Sequence, residues 1–363
     1  MPATIAGQVT AFFQYEAAEA IDLQAVPTLV GRTTRVRLTP KTATPSYVQY
    51  RQPPVTIDGE AIGLPEVLGF TVRFKLFDYG VISVSLSRAL PASWAELIER
   101  GLAWQDDPRL AATCESLCRD LMGRLRPAMT APRDDLVTED YIVFALTDPG
   151  NRMSGEGLLE QNGDDIARLL RGEREPLSRQ EREEVLRHRI SYLQNDLLVP
   201  TWNAAFVYDT ESGAHAAIEV LEFANSQLLE FRYYDELLDR ELASIYSELQ
   251  RRSWFRGWGG RRYTRAAQQV HALFIDVNEL TDRAENALKV AGDIYTARVL
   301  TLAGARLGLD HWKANVRDKL KTLDDIYRFA VEQTSMARGE MLEIIVVLIL
   351  LIELVLFFMG LMR

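Results

Sequence analysis

Cysteine is nearly absent: Cys114 and Cys118 are the only two in 363 residues, so no disulfide framework holds this chain. They form a single C-x₃-C on an expected helix. A zinc site would need two further ligands, and a redox pair prefers C-x-x-C, so both read as small buried apolar residues. Histidine is equally scarce. His188, His215, His271 and His311 stand far apart, and none sits beside another ligand at metal spacing. No P-loop, G-x-G-x-x-G, G-x-S-x-G or H-E-x-x-H occurs. Gly257-Trp-Gly-Gly260 lacks both a preceding strand and the P-loop lysine. The acid pairs Glu183–Glu184 and Asp324–Asp325 fit solvated helix faces. The sequence therefore names no catalytic residue, no cofactor and no metal site.

A basic excess is also missing. Forty-one Lys and Arg face fifty-one Asp and Glu, a net charge of -10, which argues against a whole-surface nucleic-acid binder and against DNA as a partner. The first ten residues carry no basic n-region and no apolar h-region, so they do not read as a secretory signal.

What the chain does have is one long apolar run at its C-terminal end. Ile344 to Met362 is nineteen residues interrupted only by Glu353. At 1.5 Å per residue such a helix is about 28 Å long, close to the hydrocarbon thickness of a bilayer. The expectation is a single-pass transmembrane anchor at residues 341–363, in a bacterial inner membrane, with the N-terminal bulk in the cytoplasm. Arg328 and Arg338 agree with that orientation. Glu353 near the centre reads either as an oligomer contact or proton-linked site, or as one protonated acid tolerated in a very apolar helix, and Glu343 takes an interfacial position.

The rest divides in two. Residues 1–210 read as an α+β head of one mixed or antiparallel sheet with helices on one face. Val9–Tyr15, Thr33–Leu38, Phe70–Phe77, Val81–Leu86, Tyr141–Leu146 and Ala204–Tyr208 have strand character. Asp78-Tyr79-Gly80 marks a hairpin turn, and Pro40–Pro54 a loop. Helices are expected from Pro91 and over Pro108–Leu125. Residues 151–195 read as a polar insertion with a charged helix over Ser178–Arg189.

From residue 212 to 340 the pattern is that of a three-helix antiparallel coiled-coil stalk. Leu221, Ala224, Leu228, Phe231, Asp235, Leu238, Leu242, Ile245 and Leu249 recur in steps of three and four. A second seam runs from Val270 to Tyr295, and a third helix starts near Asp310 after Gly308. The second helix, roughly 262–307, would be about 69 Å long and the third about 50 Å, which would bring the loop joining the first two to the membrane surface. That loop holds Arg251, Arg252, Trp254, Phe255, Arg256, Trp258, Arg261, Arg262, Tyr263 and Arg265 and no acid. Arginine with interleaved aromatics suits a lipid headgroup layer, or alternatively RNA phosphate.

Two patches resemble a known family. Phe74-Lys-Leu-Phe-Asp-Tyr-Gly80-Val-Ile-Ser-Val84 is similar to the F-x-F-x-x-G-x-x-V hairpin of the "required for meiotic nuclear division" family. Leu320–Tyr327 followed by Arg338–Glu353 is similar to its Leu-rich ending. Ile344 stands where that ending usually has Trp, and the hairpin closes on Ser83-Val-Ser rather than on aromatics. The resemblance implies a non-enzymatic membrane-anchored protein that homo-oligomerises, with a mitochondrial member that supports organellar translation. The expected function is a scaffold that positions a partner, such as a ribosome or RNA. The alternatives are an enzyme with a site in the head, or an RNA tether acting through residues 251–265.

Overall fold

The computed structural model describes residues 5–30, 54–64, 66–91, 93–150, 153–251, 275, 277–278 and 294–358. Contacts divide the chain into two compact units, Met1–Tyr233 with Leu280–Lys313, and Tyr234–Glu279 with Ala314–Arg363.

The first unit is α+β. Its sheet is built from β1 (Ala6–Glu16), β3 (Val55–Asp58), β4 (Glu66–Val67), β5 (Phe70–Leu76), β6 (Val81–Ala89), β8 (Thr138–Asp148), β9 (Leu197–Pro200) and β10 (Ala204–Tyr208). The order is β3-β5-β6-β1-β8-β10-β9, with β4 paired to β5. Every pairing in it is antiparallel except β8 with β10. A separate small ribbon joins β2 (Ala20–Ile21) to β7 (Met129–Thr130).

Strand alternation sends Val9, Ala11 and Tyr15 of β1, Val72, Phe74 and Leu76 of β5, and Ile82, Val84 and Leu86 of β6 to one core. Helices α2 (Trp94–Gln105), α3 (Pro108–Leu125), α4 (Gly155–Arg171) and α5 (Arg179–Arg187) cover it, while α1 (Val26–Leu29) is a single turn. Local chemistry sets where these helices begin. The hydroxyls of Ser93, Ser154 and Ser178 accept the amides of Glu96, Gly157 and Glu181, and Asp107 caps α3 ahead of Pro108.

The opposite sheet face is covered as well, which corrects the expectation of helices on one side only. The first part of α6 (Glu211–Arg251) and α7 (Ile294–Leu307) lie on it. There Phe12, Val143, Ala205 and Val207 of the strands meet Leu221, Ala224 and Leu228 of α6 and Val299 and Ala303 of α7. The first half of the expected coiled-coil seam is thus spent on the sheet. An apolar stripe at three-four spacing is satisfied by any complementary apolar surface, and a sheet serves as well as a helix.

In the second unit, Leu238 of α6 is buried, as are Val316, Leu320 and Leu323 of α8 (Leu309–Phe358). Lys319 Nζ lies 2.7 Å from both Asp235 and Asp239. Helix α8 starts directly after Gly308, whose φ is +70°.

The transmembrane anchor is corrected here. Among the described residues no helix is long and apolar enough to cross a membrane. The tail anchor and the inner-membrane localisation both fall with it.

Candidate functional site

Polar chemistry concentrates beneath α6. Gln14 on β1, Ser83 on β6 and Lys75 on β5 pair side by side, at one level of the sheet. All three are buried. By strand alternation they point away from the first core, towards α6. That helix answers with Glu219, Glu222, Ser226, Glu230 and Tyr233, whose three- and four-residue steps keep them on one face.

Glu222 is the hub. It pairs with Lys75, and its other oxygen accepts the Ser83 hydroxyl at 2.6 Å. Its backbone carbonyl accepts Gln14 Nε2 at 2.8 Å, and Gln14 Oε1 in turn accepts Asn225 Nδ2 at 3.2 Å. Lys75 Nζ also donates to Glu219 at 2.8 Å. Burial alone would push the Lys75 ammonium down, but the charges of Glu219 and Glu222 and their hydrogen bonds hold it above its ordinary value. Glu219 is pushed up by burial and held, on balance, below the usual carboxylate range by Lys75, with His215 and Arg73 adding to the effect.

One step along, Tyr79 OH and Ser226 Oγ lie 2.7 Å apart, and Gln227 Nε2 donates to Tyr79 OH at 3.4 Å. Glu16, at the end of β1, then meets Arg133 at 3.1 Å and shares a hydrogen bond with Glu230. Two carboxyl groups can share that bond only if one holds a proton. The Arg133 guanidinium bonds the Tyr233 hydroxyl and lies 3.8 Å from the centre of its ring. Burial pushes the Glu16 carboxyl up, more than Glu230 and Arg133 pull it down.

The signs of these shifts make a prediction. The folded state holds the Glu16 proton more tightly than the unfolded chain. Its contribution therefore grows as pH falls from neutral through the folded pKa towards 4.5. Glu219 works the other way: its contribution is present above the ordinary carboxylate pKa and is lost as pH falls from there through its depressed folded pKa. Glu16→Gln should therefore remove a stabilisation that wild type gains between pH 7 and 5. Paired melting curves across that range check it, and a gap between the two proteins that does not change with pH would contradict it.

Chemically, this seam binds itself. The Lys75 ammonium is engaged by two carboxylates and is no free nucleophile. Two described grooves, of about 640 and 400 Å³, are lined by other residues, among them Trp94, Ile98 and Arg168 in the larger and Arg109 and Ser116 in the smaller.

The residues singled out from sequence lie elsewhere. Leu221 and Leu228 are in the second core, Phe231 and Leu238 are buried, Asp235 meets Lys319, and Leu242 is half-buried. The side chains of Ile245, Leu249 and Glu343 lie outside the described residues. So does the Arg and Trp loop: Arg251 ends α6, and Arg252, Trp254, Phe255, Arg256, Trp258, Arg261, Arg262, Tyr263 and Arg265 are not described. Glu353 is exposed on α8. Cys114 and Cys118 are free and buried on α3; burial pushes both thiols up, Cys114 to about 12. Among the described residues, no group of three or more His, Cys, Asp or Glu could hold a metal ion. The buried seam itself escapes sequence reading. Its signal is a run of polar residues at alternate positions of three strands, broken in β1 by Phe12 and matched by a polar stripe on α6.

Residues 6–215 match the family model described as "Uncharacterized protein MJ0711, N-terminal domain". The chain belongs to this family. The MJ0711 N-terminal domain thus takes in the whole sheet and ends in the first turns of α6. "Uncharacterized protein MJ0711" of Methanocaldococcus jannaschii is 22% identical over 222 residues, which are 61% of this chain. The chain spans 66% of that relative's length, just under two thirds. No solved structure matches.

Proposed function

We propose that the chain is a non-enzymatic scaffold that self-associates through its helices and positions a partner. One observation carries this reading. On α8, Ile345–Ile352, Leu354 and Val355 are all large, apolar and between 42% and 58% exposed, with only Glu353 among them. Consecutive apolar residues face every side of a helix, and an uncovered surface of that kind marks an interaction site. Copies of α8 placed together would cover it. The buried seam supports the non-catalytic half of the proposal, since its charges are engaged with one another rather than turned towards a ligand.

The finer placement, within the "required for meiotic nuclear division" family, belongs to this proposal too. It rests on the Phe74–Val84 hairpin, which lies inside the matched residues 6–215. It brings with it the suggestion of a ribosome or RNA partner.

Mass photometry of the full chain tests the scaffold. Wild type should form oligomers, and the double variant Leu348→Asp/Leu351→Asp should shift them towards monomer. A wild type that is monomeric at every concentration would overturn the proposal.

A further inference from the structure

The geometry points to a second contact between copies, on the turns that flank strand β9. This inference rests on the self-association reading and locates a surface for it on the sheet-bearing unit. Tyr192, Leu193 and Trp202 are 59%, 60% and 64% exposed, the highest values among the described large hydrophobic residues. Tyrosine and tryptophan are the side chains that most often anchor an interface.

Their display is built, not accidental. Asp196 is buried, and its two carboxylate oxygens accept the amides of Tyr192 at 2.6 Å and Leu193 at 2.7 Å. Ser191 Oγ closes the same turn, 2.6 Å from the Leu193 carbonyl and 2.9 Å from that of Asp196. The Tyr192 ring rests against Tyr295, with centroids 5.7 Å apart. On the other side of β9, Thr201 Oγ1 donates to the Ala204 carbonyl at 2.9 Å, and the buried Tyr141 hydroxyl holds the Thr201 carbonyl at 3.0 Å. Fixed turns have little conformational freedom left to lose on docking.

The edge between them is closed to strand addition. Ile190 exchanges both backbone hydrogen bonds with Leu198, at 2.9 and 2.8 Å, and Pro200 has no amide to offer. Recognition must therefore go through side chains. Four residues of strand separate the turns by about 13 Å, so both fit inside one face of the roughly 800 Å² per partner that a stable complex buries.

Charge selects the occupant. Ser191 to Asn195, Trp202 and Asn203 carry no charged side chain, and the flanking Arg189 is 3.6 Å from Glu156. A two-fold axis sets each charge of an interface near its own copy, and the chain carries a net charge of -10. An uncharged face is what lets such a chain meet itself, whereas nucleic acid would call for cations here.

Thiol cross-linking of the full chain decides the matter. Because Cys114 and Cys118 are buried, Leu193→Cys introduces an accessible thiol against a silent background. A short bismaleimide should trap a dimer at micromolar protein. Adding Trp202→Ser should reduce the trapped fraction about tenfold, the effect of a contact worth about 1.4 kcal/mol. Trp202 is exposed, so the fold should survive, as circular dichroism will verify. A parallel Glu353→Cys variant reports on α8. Trapping of the Glu353→Cys variant with none of the Leu193→Cys variant overturns the β9 contact and leaves the scaffold standing. No trapping of either variant overturns both. Trapping of the Leu193→Cys variant that ignores Trp202→Ser reflects collision and also overturns the β9 contact.

Discussion

Lys75→Met should destabilise the protein by about 3–5 kcal/mol, the loss expected when a buried ion pair is deprived of one partner. The size follows from what is left behind. Lys75 and Glu222 have side chains only 5% exposed, so the orphaned Glu222 carboxylate cannot recruit water. It would keep the Ser83 hydroxyl and lose its counter-charge. Glu219 is better placed, at 22% exposure, and would rehydrate in part. The companion experiment separates the worth of the pair from the cost of breaking it. Lys75→Met with Glu222→Leu removes both charges and should come within about 1 kcal/mol of wild type, since apolar replacements of buried pairs are often neutral. Urea denaturation reads both variants. A single variant within about 1 kcal/mol of wild type would show that the seam is hydrated rather than dry. A double variant as unstable as the single one would mean the site needs its charges for packing geometry.

The same seam explains where the sequence is legible and where it is not. The hairpin of β5 and β6 can be read directly, because Phe70, Val72, Phe74 and Leu76 alternate with polar residues and Gly80 marks the turn. Helix α3 is legible to its ends, Pro108 and Leu125, because Asp107 and Pro108 announce its start. Helix α4 is not, since Gly155, Gly157 and Gly163 disguise an amphipathic segment whose Leu158, Ile166, Leu169 and Leu170 are buried. The deeper difficulty lies with Gln14, Lys75 and Ser83. A polar residue at every second strand position reads the same whether that face meets water or a helix carrying its own carboxylates. Only the partner distinguishes the two, and Glu222 lies 139 residues from Ser83. The apolar stripe of α6 is ambiguous for the same reason: Leu221 and Leu228 fit a coiled coil as well as the sheet they pack on.

Gly80→Ala should cost about 3–5 kcal/mol, from two effects that can be measured apart. Gly80 has φ +98°, where an L side chain is strained, and a Cβ there would fall on the carbonyl oxygen of Ala18. The neighbouring backbone has little room to move. Ala17 N–H donates to the Gly80 carbonyl at 3.2 Å, Ile21 N–H to that of Asp78 at 3.0 Å, and Phe77 N–H to that of Val81 at 2.9 Å. The hairpin turn is thereby stitched to the segment that leaves β1, one residue beyond the buried Glu16. Gly63 supplies the control. Its φ is +81°, yet nothing lies within 4 Å of the added carbon, so Gly63→Ala should show the backbone strain alone, about 1–2 kcal/mol. The difference between the two variants measures the close approach of the turn to Ala18. Should both alanines cost the same, the turn can withdraw from Ala18 without penalty. Glu16 would then be held at the end of β1 by Arg133 and Glu230 and not by the hairpin.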